Sequence, residues 1–173
     1  VPYDLPLIPL RGIYMFPHMV IHFDIGRQKS LESLEEAMLR NSEVILCSQK
    51  DYKVEQPTKK DLWPMGVLAS IKQTLKLPNG STRVLVEGVD RVSLEKLNLR
   101  KRYYAAQGNI YEQTEVLEES KQMEAATRLV VSDMREYLEF KPGMGQEMMF
   151  GLSDIDDPGR LCDVIASYTE MKD

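Results

Sequence analysis

Two hydrophobic periods divide the chain, and the change between them falls near residue 116. Before it, apolar residues come in short runs or alternate with polar ones, as strands require. Leu5, Leu7, Ile8 and Leu10 are interrupted by Pro6 and Pro9, and the runs Ile13 to Phe16 and Met19 to Phe23 flank Pro17. Proline bars a helix interior, so residues 5–25 read as strands with bends. From Arg27 to Arg40, Leu31, Leu34, Ala37 and Met38 recur at helical spacing, and Glu36 stands four residues before Arg40. That pattern predicts an amphipathic helix with an i,i+4 ion pair. Val44 to Cys47 is short and β-branched, a buried strand, and the polar, proline-containing stretch 49–60 reads as a loop. Residues 66–77 and 82–92 form the arms of a predicted hairpin around Pro78-Asn79-Gly80-Ser81, because Asn-Gly tolerates the positive φ of a tight turn. Gly88 breaks the alternation of the second arm, as a bulge or a close backbone approach demands. Residues 103–111 add one more strand.

Beyond residue 116 the period becomes 3.6. Ala126, Leu129, Val130, Met134, Tyr137 and Leu138 make one stripe, closed by Lys141-Pro142-Gly143. A short helix fits Gln146 to Leu152, and Asp156-Asp157-Pro158 starts another, with Asp157 as N-cap and Pro158 at the first helical position. Leu161, Val164, Ile165 and Tyr168 form its buried face. The fold class is therefore α+β: a β-rich domain with one amphipathic helix over residues 1–115, then a small α-helical segment over 116–173.

Composition narrows the function. With 22 basic and 27 acidic residues the net charge is −5 and the pI about 5.2, a balance that disfavours nucleic acid and anionic membranes as partners. No run approaches the length of a membrane span, and the start, with Asp4 between Pro2 and Pro6, is unlike an export signal. Cys47 and Cys162, both in apolar runs, read as reduced core thiols, which places the chain in the cytoplasm. An opening Val and an end without a helix stop read as borders within a longer chain.

The search for chemistry is mostly negative. His18 and His22, on one face of an extended segment, would lie roughly 13 Å apart, too far to share a metal. Phosphate-loop, nucleophile-elbow and zincin motifs are absent from the sequence. Asp154, Asp156 and Asp157 read as helix capping rather than a metal loop, and Arg100-Lys101-Arg102 as a solvated turn. A non-catalytic recognition module is the expectation. Its candidate surface is apolar material in places that ought to be polar: Leu75, Leu77 and Pro78 at the hairpin turn, and Phe16, Pro17 and Met19 at the bend between the first strands. If these two regions meet, they form one exposed apolar patch. Met38, Met65 and Met134, by contrast, read as core by spacing.

The blocks Leu5-Pro6-Leu7-Ile8-Pro9-Leu10-Arg11, Phe16-Pro17-His18-Met19-Val20, Gly26-Arg27-Gln28-Lys29-Ser30, Leu75-Lys76-Leu77-Pro78-Asn79-Gly80, Val84-Leu85-Val86-Glu87-Gly88 and Ile155-Asp156-Asp157-Pro158-Gly159-Arg160-Leu161 together resemble the amino-terminal domain of the ATP-dependent Lon protease, over nearly the whole length. The resemblance implies a PUA-like pseudo-barrel followed by the start of a helical bundle. It also implies selection of unfolded or tagged protein clients and support of a homo-hexamer. The ATPase and Ser-Lys protease domains, with ATP and Mg2+, would lie elsewhere in the parent chain, leaving this fragment without catalytic residues, metal or cofactor. Arg27 and Lys29 of the Gly-Arg-x-Lys-Ser block would face solvent at a helix start and meet acidic or backbone groups of a client. Two other readings stand beside this one: a PUA-like RNA-binding module, and a structural spacer for oligomerisation.

Overall fold

A computed structural model describes residues 4–111, 121–141, 151–152 and 155–169. They belong to two compact units, Val1–Tyr111 and Glu112–Asp173.

The first unit is a barrel. Its strands are β1 (Leu5–Leu10), β2 (Val20–Ile25), β3 (Glu43–Ser48), β4 (Met65–Lys76), β5 (Thr82–Asn98) and β6 (Ala105–Ile110), in the spatial order β2-β5-β4-β3-β1-β6. A 12-residue helix, α1 (Gln28–Leu39), precedes β3 and packs on β1 and β3. Because a helix separates them in the chain, β1 and β3 can pair in parallel, Leu7 opposite Ile45 and Leu10 opposite Ser48. The long strand β5 pairs with β4 over most of its length, with β2 through its first half and with β6 through its second. Since β6 also pairs with β1, five strands close on themselves and β2 extends one wall as an edge strand.

The continuous apolar run of β3 has a simple cause. Val44 and Leu46 enter one core cluster with Ile8, Leu10, Leu34, Ala37, Val84 and Val86, while Ile45 and Cys47 enter another with Leu7, Leu68, Val92, Leu94 and Tyr104. Successive side chains point to opposite faces, so a strand buried on both sides is apolar at every position.

Several sequence expectations change here. Residues 11–19 form no strand, so Ile13 to Phe16 is loop, with His18 at φ 66°. Strand β5 runs on to Asn98 rather than ending at Val92, because Leu94 continues the inward alternation and β6 supplies its partner. Gly88 serves both anticipated purposes. The register shifts between Leu68 and Ala69 beside it, and a Cβ there would lie 2.5 Å from the Phe16 carbonyl oxygen. In the hairpin turn Gly80 has φ 84°, whereas Asn79 keeps a negative φ and uses its side chain instead, its Oδ1 accepting from Ser81 N–H at 3.0 Å. Met38 and Met65 are exposed rather than core.

The helical unit contains α2 (Lys121–Glu139) and α3 (Pro158–Tyr168). Asp157 caps α3 as anticipated, accepting from Arg160 N–H at 2.7 Å. A small cluster of Met134, Leu138, Leu152 and Leu161 forms its core, with Val131, Tyr137, Val164 and Ile165 against it. The inward stripe of α2 is thus Val131, Met134, Tyr137 and Leu138, while Ala126, Leu129 and Val130 are exposed, and on α3 Tyr168 is exposed. Cys162 is also exposed, not a core thiol like Cys47. Of the helix expected from Gln146, only Gly151 and Leu152 are described, and both are helical; Asp154 lies outside the described residues.

Candidate functional site

The two halves of the anticipated apolar patch lie at opposite ends of β2. At one end Val20 sits opposite Glu87, and at the other Ile25 sits opposite Thr82, which in turn faces Lys76 beside the hairpin turn. Five steps along a strand separate these ends by ~17 Å. Phe16, Pro17 and Met19 gather at the first end, where His18 N–H donates to Gly88 O at 2.9 Å and Gly88 N–H to Met19 O at 2.8 Å. Pro17 is buried, and Met19 packs on the core while its Sδ accepts from Phe16 N–H. Leu75, 60% exposed, stands at the hairpin end with half-buried Leu77 and exposed Pro78. Sequence order alone could not reveal this separation, because it follows from the register of β2 against β5.

Phe16 has other company. With Tyr14, Trp63, Met65, Val67 and Arg91 it lines a groove of about 180 Å³. Trp63, 44% exposed, and Met65, 39% exposed, open onto solvent here. Met65 begins β4, and Trp63 just before it is fastened to β3: its N–H donates to Ser48 O at 3.0 Å, and the Cys47 thiol donates to Trp63 O at 3.0 Å. Burial pushes that thiol up to about 12, so it stays a neutral donor. Lys50 Nζ lies 5.8 Å from the Trp63 ring, and Tyr111, exposed, is tied beside the groove by its N–H to Arg91 O at 2.8 Å. The groove therefore combines aromatic faces, a flexible thioether and a guanidinium. The sequence reading placed Met65 in the core and passed over Trp63, although a lone tryptophan beside Pro64 at a strand start was the available signal.

Arg27 and Lys29 are half-buried, and their donors are taken up within the barrel. Arg27 Nη2 donates to Pro9 O at 2.6 Å and Nη1 to Gln49 Oε1 at 2.6 Å and Glu55 O at 3.3 Å. Lys29 Nζ donates to Leu99 O at 2.7 Å and sits 4.9 Å from the Tyr104 ring. Ser33, one turn on, accepts from Tyr104 N–H at 3.1 Å. The block that opens α1 consequently ties the helix to three separate stretches of the barrel. Long basic side chains can do so because their donors reach past the apolar face that their stems cover. His18 and His22 are both exposed, and no group of three or more metal-ligating side chains exists among the described residues. None of their helices is long and apolar enough to cross a membrane.

A groove walled by aromatic and apolar side chains on a closed barrel is an architecture suited to binding. The family model of the ATP-dependent protease La (LON) substrate-binding domain matches residues 4–173, and the chain belongs to that family. It is 38% identical over 169 residues to the Lon protease of Desulforamulus reducens and 39% identical over 169 residues to that of Brevibacillus choshinensis. Each alignment covers 98% of this chain and 21% of the relative, so the chain spans about a fifth of the length of these curated relatives. The fold is similar to the N-terminal domain of a Mycobacterium avium complex Lon protease, with a TM-score of 0.72 at 16% identity, covering 96% of this chain and 83% of that one.

Proposed function

We propose that the chain captures unfolded or damaged polypeptides for a larger ATP-dependent, hexameric Ser-Lys protease in the cytoplasm, and that the Trp63 groove holds apolar segments of those clients. The cluster of half-exposed Phe16, Trp63 and Met65 around one concavity carries this reading, since large apolar side chains left partly wet on a closed barrel mark a binding surface. Methionine adapts its shape to many partners, as a non-selective capture surface needs. The hairpin tip of Leu75, Leu77 and Pro78 acts as a second, separate contact. Arg27 and Lys29 serve indirectly by holding α1 in place. ATP and Mg2+ act in other parts of such a parent chain.

At about 25 cal/mol per Å² of apolar surface, a few hundred Å² supplies several kcal/mol before association costs. One copy therefore binds weakly, and six linked copies bind far more tightly. Trp63 is the sole tryptophan, so its emission reports the groove without a label. Titration with a reduced and alkylated, permanently unfolded protein is expected to shift that emission to the blue. Met65→Ser is expected to weaken binding about fivefold or more, and Leu75→Ser to weaken it less. Unchanged emission at saturation, with equal affinity for wild type and Met65→Ser, rejects the groove.

A further inference from the structure

We propose that a second cavity, between β1, β2 and the start of α1, binds a carboxylate carried on an apolar group. This cavity has a volume of about 340 Å³ and shares no lining residue with the Trp63 groove. Ile13, Phe23 and Ile25 form its apolar side, and Arg11, Arg27 and Ser30 its polar side. Among the described residues, the buried side-chain nitrogen and oxygen atoms without a hydrogen-bond partner are Arg11 Nε and Ser30 Oγ. Both belong to this one wall, and Ser30 is only 2% exposed. Folded proteins rarely leave such atoms unpaired, and two together mark a place that a ligand completes. The start of α1 adds a third, independent feature. Its N-cap residue, Arg27, makes no side-chain cap bond, and no acidic residue occupies the first turn. The positive end of the helix thus opens toward the cavity without an internal counter-charge.

The charges around the cavity select the ligand. Arg27 donates to neutral oxygens of Pro9, Gln49 and Glu55, and its guanidinium is held below the usual arginine range, first by burial and then by the charge of Arg11. Arg11 Nη2 donates to Val54 O at 3.0 Å and meets Glu55 Oε1 at 3.2 Å, but that Glu55 side chain is 76% exposed and can be displaced. Asp24, also on the wall, is already held by Arg83 at 2.7 and 3.0 Å. Two guanidiniums against one displaceable carboxylate favour a planar monoanion, and the isoleucine and phenylalanine side chains favour an aliphatic body behind it. A free aliphatic acid and the C-terminal residue of a polypeptide both carry that chemistry.

The test uses this chain and NMR shifts of the Gly26–Ser30 backbone amides. N-acetyl-leucine is expected to give saturable shifts at millimolar concentration, and N-acetyl-leucinamide, lacking the charge, to bind at least about tenfold more weakly. Arg11→Gln is expected to weaken the acid about tenfold, whereas Glu55→Gln, at an exposed position, should tighten it severalfold by removing the carboxylate that competes for Arg11. Two further arms separate the sources. Hexanoate binding as well as N-acetyl-leucine assigns the site to small acids, and preference for a peptide ending in free Leu over its amidated twin assigns it to chain ends. Equal affinity for acid and amide, inorganic phosphate binding as tightly as the acid, or no saturation even in Glu55→Gln, each overturns the proposal.

Discussion

The barrel and the helical unit bury their apolar side chains by different means. In the barrel, strands distant in sequence are stitched by backbone ladders around two clusters, so each buried residue is held by neighbours from several strands. In the helical unit a cluster of four buried residues, fringed by half-buried ones, is set by local periodicity and a cap. A closed ladder leaves less room for collapse around a defect than two helices do, and this difference can be tested from the largest expected effect to the smallest.

Each unit carries one cysteine. With the Cys47 thiol pushed up to about 12 by burial, about one in ten thousand is thiolate at pH 8, whereas Cys162 is exposed on α3. Alkylation of the native protein is expected to label Cys162 by orders of magnitude faster, with Cys47 reacting only on unfolding; comparable rates would show that the barrel opens readily. Leu46→Ala, at a fully buried β3 position, is expected to cost about 3–5 kcal/mol in denaturant unfolding followed by Trp63 emission. Leu161→Ala, in the smaller cluster, should cost about 2–3 kcal/mol by helical circular dichroism. The reverse order would break the comparison. Asp157→Ala removes the cap of α3 and should cost about 1 kcal/mol, with Asp157→Asn retaining most of it.

The smallest effect tests how the barrel ends are closed. Asp4 accepts from Lys101 Nζ at 2.7 Å and from Gln107 Nε2 at 2.9 Å, and these bonds, Lys101 foremost, hold its carboxyl below the ordinary 3.8. A depressed folded pKa stabilises above the unfolded value and loses that contribution as pH falls through the folded one. Asp4→Asn is thus expected to cost under about 1 kcal/mol at pH 7, the pair being partly exposed, and nothing once pH drops well below 3.8. A cost that persists unchanged at pH 2 would show that the hydrogen-bond geometry, not the charge, matters.

How much was legible depended on range. Helix α1, the Asn79-Gly80 turn and the Asp157 cap each rest on contacts within a few residues, and β3, though its partners are distant, is a contiguous apolar run, so their residues announce them. The second half of β5 was missed because its partner, β6, lies beyond a separate turn. Leu94 and Leu97 stand three residues apart, across a register shift between Leu94 and Lys96, so their spacing does not read as a strand until Gly108 and Ala106 are placed opposite. The apolar surface was partly legible for the same reason: Phe16 and Leu75 were visible as apolar side chains in exposed settings, but not their separation, and Met65 was hidden by its resemblance to ordinary core, while no pattern of neighbours singled out Trp63.

By itself the sequence determined the α+β class, the switch of period near residue 116, the family and the residues that start and stop most elements, since these follow from local conformational preference and from the order of blocks along the chain. The tertiary structure alone decided which side chains meet. The register of β2 on β5 set Phe16 apart from Leu77 and beside Trp63, and the docking of α1 turned Arg27 inward and brought Ser30 to a cavity wall. Register and docking are selected by summed burial across the whole barrel, a quantity that no short window of residues contains.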